Sequence, residues 1–430
     1  MVLLVLLPGL GALPLAAQSA FERRVDAYFA AAVAGHDFSG SVLIARGDSV
    51  LVRKGYGQAN SEFGIPARPD TRYMVASLTK TFTATAVLRL RDQGKLRLSD
   101  TLAHYLPDFP HGPRITLTHL LAHASGVANP DYQALFGHVM SLGEIVAEIG
   151  RKPLAFPPGT DSRYSNAGYN LLAAVIERVS GQSYGTALRS LVLDPAGMTA
   201  TGDASDDAAV SNLATPYVAG PGPSRARVAA GSYSLDIGGG SVYSTVDDLF
   251  RWGRAIQTNR LFALGSIPYV YGWGERRLAG GRWLEQTGLL DGWVSNLYVG
   301  RDSAIIVVVL GNHCTPSFGR WGRELAELVM GGSWADSVAS LHAELPAQEA
   351  RIDPAPYLGR YKSPSLGLRV TAAGNALYLE VNDWPVARYL APLGSDRFVV
   401  GDYGMKIAFR RDARGNVNGL VFGQDTLPRQ

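Results

Sequence analysis

Ser77-Leu78-Thr79-Lys80 sets a hydroxyl and an amine three residues apart at the start of a predicted helix, a spacing that brings both side chains to one face. Unpaired N–H groups at a helix start can hold developing negative charge, and the positive end of the helix dipole favours a neutral lysine. The interior from Thr81 to Leu88 carries no charge. A lysine in such an apolar helix gives up its proton more readily, which makes Lys80 a candidate base toward Ser77. The rival reading is a surface lysine beside a capping serine, and the apolar continuation argues against it. The tetrad alone proves little, since a chain of this length should contain roughly one S-x-x-K by chance.

Two further clusters give it company. In Tyr164-Ser165-Asn166 a phenol and a carboxamide two residues apart can both face a cleft where the backbone is extended or turning. Tyr164 could then pass a proton to a leaving group, while Asn166 holds Lys80 or the substrate amide; a tyrosine packed in a loop is the plainer alternative. In Glu285-Gln286-Thr287-Gly288-Leu289 a strand edge beside the nucleophile would let Gln286, Thr287 and Gly288 meet substrate. The backbone N–H of Leu289 would join that of Ser77 as an oxyanion hole. The alternative is a simple strand-to-turn transition.

The elements that must position these groups follow from periodicity. Phe21 to Ala34 has helical spacing, and residues 39–52 read as strand, turn, strand. Helices are predicted over 77–90 and 167–179, and over about 246–256 after an N-cap at Ser244-Thr245. Strands return at 282–284, 294–299 and 303–310, with a helix over 319–329. Strands near both ends of this region, separated by a helical middle, predict one sheet assembled from distant parts of the chain. Residues 332–352 read as a helical linker. Beyond them, short strands around Ala373-Gly374-Asn375 and around 412–416 predict a small antiparallel module.

The 430 residues suffice for one large and one small domain, with 47% hydrophobic and 18% charged side chains. Lys plus Arg total 40 against 37 acidic residues, a net charge of +3. That balance, without any dense basic run, excludes nucleic acid as an expected partner. Residues 1–19 lack charge, and Ala17-Gln18-Ser19 offers small residues before a cut at Ala20, so export to the periplasm or medium is expected. A membrane anchor would need roughly 17 to 25 apolar residues, whereas this stretch is short and broken by Pro8 and Pro14. The single cysteine, Cys314, allows no intrachain disulfide and is expected to be an unreactive thiol near the end of a core strand.

Taken together, the clusters resemble the class C-like β-lactamase and penicillin-binding-protein superfamily of serine hydrolases, which includes D-alanyl-D-alanine carboxypeptidases, D-stereospecific aminopeptidases and esterases. That superfamily carries S-x-x-K, then Y-x-N, then a Lys/His-Thr/Ser/Gly-Gly strand. The surrounding text is similar as well: ITLTHLLAHASG at 115–126, PPGTDSRYSNAGYNLL at 157–172, LDPAGMTAT at 193–201 and GGGSVYSTVDDL at 238–249. The resemblance implies an α+β, β-lactamase/transpeptidase-like domain over 20–331, its central antiparallel sheet flanked by helices. It implies a barrel-like accessory domain over 353–430. It also implies an acyl-enzyme mechanism on a small molecule or short peptide with Ser77, Lys80 and Tyr164 catalytic, no cofactor and no metal, and structural roles for His119 and His123. The third motif departs from the pattern, with Gln286 for the usual cation, Leu289 for a common glycine and Asp291 for a common proline. A D-amino-acid-containing peptide or amide is the preferred substrate class. An esterase with weak or no β-lactamase activity and a catalytically silent binding protein are the other readings.

Overall fold

The computed structural model describes residues 15–131, 135, 137–206, 208–220, 225–228, 231–262, 271–315, 319–332, 352–363, 366–381, 387–400, 405–423 and 425–430. Most of the expected leader and nearly all of the expected linker, residues 333–351, lie outside them.

The centre is a six-stranded antiparallel sheet. Its strands are β1 (Gly40–Arg46), β2 (Ser49–Tyr56), β3 (Gly274–Leu278), β4 (Gly281–Leu290), β5 (Trp293–Gly300) and β6 (Ile305–Gly311), in the order β3-β4-β5-β6-β1-β2. The two ends of the domain meet where β1 lies on β6, with Val42 opposite Val309 and Ile44 opposite Val307. This junction is buried on both faces, so its strands read as continuous apolar runs. Their side chains nevertheless divide by parity, as a strand period of two demands. Val42, Ile44, Val307 and Val309 enter one core, Leu43, Ala45, Ile306, Val308 and Leu310 the other.

The first core is covered by the terminal helices α1 (Leu15–Ala34) and α5 (Trp321–Val329), through Val25, Phe29, Trp321 and Leu325. The helix of residues 21–34 thus starts earlier than its periodicity predicts, inside the expected leader. No helix among the described residues is long and apolar enough to cross a membrane. On the opposite face lie α2 (Thr79–Asp92), α3 (Asn166–Ser180) and α4 (Val246–Gln257). The predicted N-cap of α4 is Thr245, whose side chain accepts from Asp248 N. Helix α2 is buried from Thr79 to Leu88, as its uncharged interior requires.

Residues 359–428 form eight antiparallel strands in sequence order around a third, separate apolar core. The last strand returns to the first through the Tyr361–Arg429 bridge and Gln430 N donating to Arg360 O at 2.8 Å. An up-and-down barrel results, which removes exposed edges. Cys314 is buried just beyond β6.

Candidate active site

Ser77 sits in a single 3-10 turn, Ala76–Leu78, that runs directly into α2. Ala76, the residue before it, has φ +50°, a conformation that costs an L-residue of order 1 kcal/mol and persists only when its surroundings enforce it. The enforcing element is β4. Beyond Glu285 no described strand pairs with the outer edge of β4, and the Ser77 turn packs over the face of the sheet at Gly288 and Ser295. A side chain at Gly288 would meet Val75 O at 2.2 Å and the Ala76 methyl at 3.0 Å. Ser295, opposite Gly288 on β5, donates to Val75 O at 2.6 Å. Leu289, the expected oxyanion donor, follows Gly288 on β4.

The expected catalytic side chains converge. Tyr164 donates from its hydroxyl to Ser77 Oγ at 2.7 Å. Lys80 Nζ lies 3.3 Å from Ser77 Oγ, 2.8 Å from Asn166 Oδ1 and 2.7 Å from Gly239 O. Sequence predicts an apolar setting for Lys80, and the structure differs: the amine is buried yet ringed by three oxygens. It also stands over the rings of Tyr164 and Tyr169, at 4.8 and 5.6 Å. The polarity comes from α3 and the glycine loop, not from α2 itself. With two N–H groups held by Asn166 and Gly239, the remaining direction on nitrogen points at Ser77. Nζ thus stands where a base toward the Ser77 hydroxyl would have to stand.

Gln286 is placed differently from a substrate donor. Its Nε2 donates to Ser77 O at 3.2 Å, tying β4 to the nucleophile turn. Thr287 and Gly288 follow on the same strand. Of the three arginines near the third motif, Arg276 pairs with Glu285 and Arg282 with Asp302, each at 2.7 Å, while Arg277 lies opposite Arg282 on β3.

The resemblance implies structural roles for His123 and His119, and the contributors after them escape sequence reasoning. His123, with φ +57°, accepts from Ser165 N through Nδ1 at 3.2 Å. Its ring lies 4.7 Å from that of Tyr164 and 5.2 Å from that of Tyr169. Burial and then the charge of Lys80 hold its pKa down to about 4, so it is a neutral platform for Tyr164. His119, its i+4 partner in sequence, instead closes a helix cap with Thr116. Asn129 Oδ1 accepts from Ala167 N at 3.1 Å, and Ser165 caps α3 at Gly168 N. Gly239 supplies a carbonyl, which leaves no mark in sequence beyond the glycine run itself. Gly238 is required there, because a side chain would meet Tyr169 O at 2.5 Å.

The sequence matches the beta-lactamase family over residues 25–329. The chain belongs to that family. It is 32% identical over 316 residues to esterase EstB of Burkholderia gladioli, covering 63% of this chain and 77% of the esterase. It is 36% identical over 174 residues to penicillin-binding protein 4* of Bacillus subtilis, covering 39% of this chain and 38% of that protein, so the chain spans about two fifths of that relative. Among solved structures SurE has a TM-score of 0.64 at 26% identity, over 96% of this chain and 100% of its own. SurE has also been solved with D-Leu.

Proposed function

We propose that this protein is a serine hydrolase that forms an acyl-enzyme on D-amino-acid-containing peptides or amides. The observation that carries the reading is Ser77 Oγ flanked by the Tyr164 hydroxyl at 2.7 Å and Lys80 Nζ at 3.3 Å. Ser77 attacks the substrate carbonyl while its proton passes to Lys80. The carbonyl oxygen, now negative, is held by the N–H groups of Ser77 and Leu289. As the tetrahedral adduct collapses, Tyr164 protonates the leaving nitrogen and recovers its proton from Lys80. Water then attacks the acyl-serine and gives its proton to the same pair, which returns a proton to Ser77 Oγ as the acyl–oxygen bond breaks and the acid leaves. Asn166 and Gly239 keep Lys80 aligned through both halves.

The D-amino-acid preference is supported by SurE, similar over the whole chain and solved with D-Leu. An ester substrate is the second reading, favoured by the uncharged Gln286 and by the similarity to EstB. The charge-free apolar leader supports action outside the cytoplasm.

A fluorophosphonate probe followed by intact-mass measurement tests the reading. Wild type should gain one adduct at Ser77 and Ser77→Ala none. An adduct on the alanine variant would sink the assignment.

A further inference from the structure

The left-handed turn before Ser77 has a socket in the sheet. Gln286 and Gly288 stand two residues apart on β4 and so share a face. Ser295 of β5 lies opposite Gly288 and shares that face too. Gly288 is the floor of the socket, where any side chain would strike Val75 O at 2.2 Å and Ser295 Oγ at 2.4 Å. A donor stands on either side of this floor. Ser295 Oγ donates to Val75 O at 2.6 Å, and Gln286 Nε2 donates to Ser77 O at 3.2 Å. A carbonyl oxygen only accepts, so the Gln286 amide must turn its nitrogen toward Ser77.

The two acceptors matter because of what lies between them. Val75 O belongs to the peptide plane before Ala76, and Ser77 O to the plane after Ser77. The plane between, joining Ala76 to Ser77, carries the Ser77 N–H that the proposed mechanism uses as an oxyanion donor. Peptide units are rigid, so this N–H can reorient only through the φ and ψ angles of Ala76 and Ser77. Ala76 holds φ +50°, a conformation that an L-residue leaves once its surroundings let go. The flanks of the turn are fixed by Val75 N donating to Val242 O at 2.8 Å and Val242 N donating to Thr79 Oγ1 at 3.1 Å. The two carbonyls are gripped from the sheet by side chains. Ser295 is buried, whereas Gln286 is half-buried and can be exchanged without opening the core.

We propose that Gln286 is a positioning residue and not a substrate contact: with Ser295 it clamps the planes on either side of the Ala76–Ser77 peptide and so holds the Ser77 N–H on the oxyanion. It acts through the Ser77 main chain and touches no reacting atom. The departure in the third motif is then an exchange. A charge that would face a ligand is given up for a neutral amide that holds the nucleophile. This assignment rests on the acyl-enzyme reading and deepens it.

The test compares full-length wild type, Gln286→Met and Gln286→Lys on p-nitrophenyl acetate and D-alanine p-nitroanilide. Methionine keeps the reach of glutamine without a donor, and lysine gives a donor back. Rates are taken per Ser77 site titrated with a fluorophosphonate, so that misfolded protein does not count. Gln286→Met should lower kcat about tenfold with KM within about twofold, a smaller loss than follows deletion of an oxyanion donor. The factor should be alike on both substrates, because each half of either reaction passes through the same oxyanion while the leaving groups differ. Fluorophosphonate labelling should slow in parallel, and Gln286→Lys should recover part of each rate. A loss confined to KM, or one that differed between the substrates, would make Gln286 a ligand contact and overturn the proposal. So would an unchanged kcat in Gln286→Met, or a lysine variant as slow as the methionine one. A wild type that never labels removes the acyl-enzyme reading itself, whereas labelling at the same rate in wild type and Gln286→Met removes this inference alone.

Discussion

Ser77 Oγ has two neighbours with different tasks, and substitution should tell them apart. Lys80 Nζ is held by Asn166 and Gly239 so that its remaining direction faces the hydroxyl, the posture of a base. Lys80→Met should lower kcat/KM by about two to four powers of ten on esters and amides alike, the usual cost of a lost proton acceptor. Tyr164 is half exposed and donates to Ser77 Oγ, so it can reach a departing group. Tyr164→Phe should cost about as much on an amide but about tenfold less on a p-nitrophenyl ester, whose leaving group needs little protonation. Uniform, small losses for both variants would point to a binding protein. The serine, lysine and tyrosine were legible because hydroxyl, amine and phenol at motif spacing already name their chemistry. Gly239, which contributes only a carbonyl, and Gln286, whose partner is a main-chain oxygen, could not be read that way. Main-chain partners are created by the fold and carry no side-chain signature.

At the scale of elements, the site is where four segments meet: the start of α2, the start of α3, the glycine loop around Gly239 and the open half of β4. The helices and the sheet were legible from periodicity, since the β1–β6 pairing joins two strongly apolar runs and α2 has no charge to expose. The short turns between them were not. His123, in the turn after the short helix Leu117–Leu121, illustrates the difference: helical spacing sets it beside His119, whereas φ +57° turns it beneath Tyr164. Its pKa is held down to about 4, by burial first and Lys80 second, against an ordinary 6.5. The unfolded chain therefore binds a proton between about pH 6.5 and 4 while the folded chain does not. Stability from this residue is complete above 6.5 and falls as pH drops toward 4, by at most about 1.4 kcal/mol per pH unit. Asp203 and Asp236, pushed up to about 6 by burial, act in the opposite direction, so the informative quantity is a difference between variants. His123→Asn keeps an acceptor for Ser165 N and tolerates a left-handed backbone. Urea unfolding at pH 7 and pH 4.5 should show the wild type losing more stability than His123→Asn across that interval. Parallel losses would show that His123 titrates normally.

The whole molecule joins a catalytic domain to a barrel with its own apolar core, and among the described residues an ion pair links the barrel to the β4–β5 hairpin. Arg388, buried in the barrel, pairs with Asp291 at the tip of the β4–β5 hairpin. Asp291 stands two residues beyond Leu289, at the position where the sequence departs from a common proline, and the departure acquires a partner only once the barrel is in place. A pair this far from water contributes little net stability when intact, but breaking it leaves a charge stranded at a cost of about 3 to 5 kcal/mol when fully buried. Asp291 keeps 12% of its side chain exposed, so relaxation should reduce that cost. The strand most affected carries Leu289, the oxyanion donor of the proposed mechanism, which makes catalysis a sensitive reporter. Arg388→Met should lower kcat severalfold with little change in KM, because the misplaced group acts on the transition state. Asp291→Asn removes the stranded charge, and the double variant Asp291→Asn with Arg388→Met should recover part of the loss. A coupling of about 0.5 to 3 kcal/mol in this cycle is what contacting residues give. Strictly additive effects would mean that the barrel and the hairpin act independently, and that removing the barrel should leave the rate of Ser77 acylation unchanged.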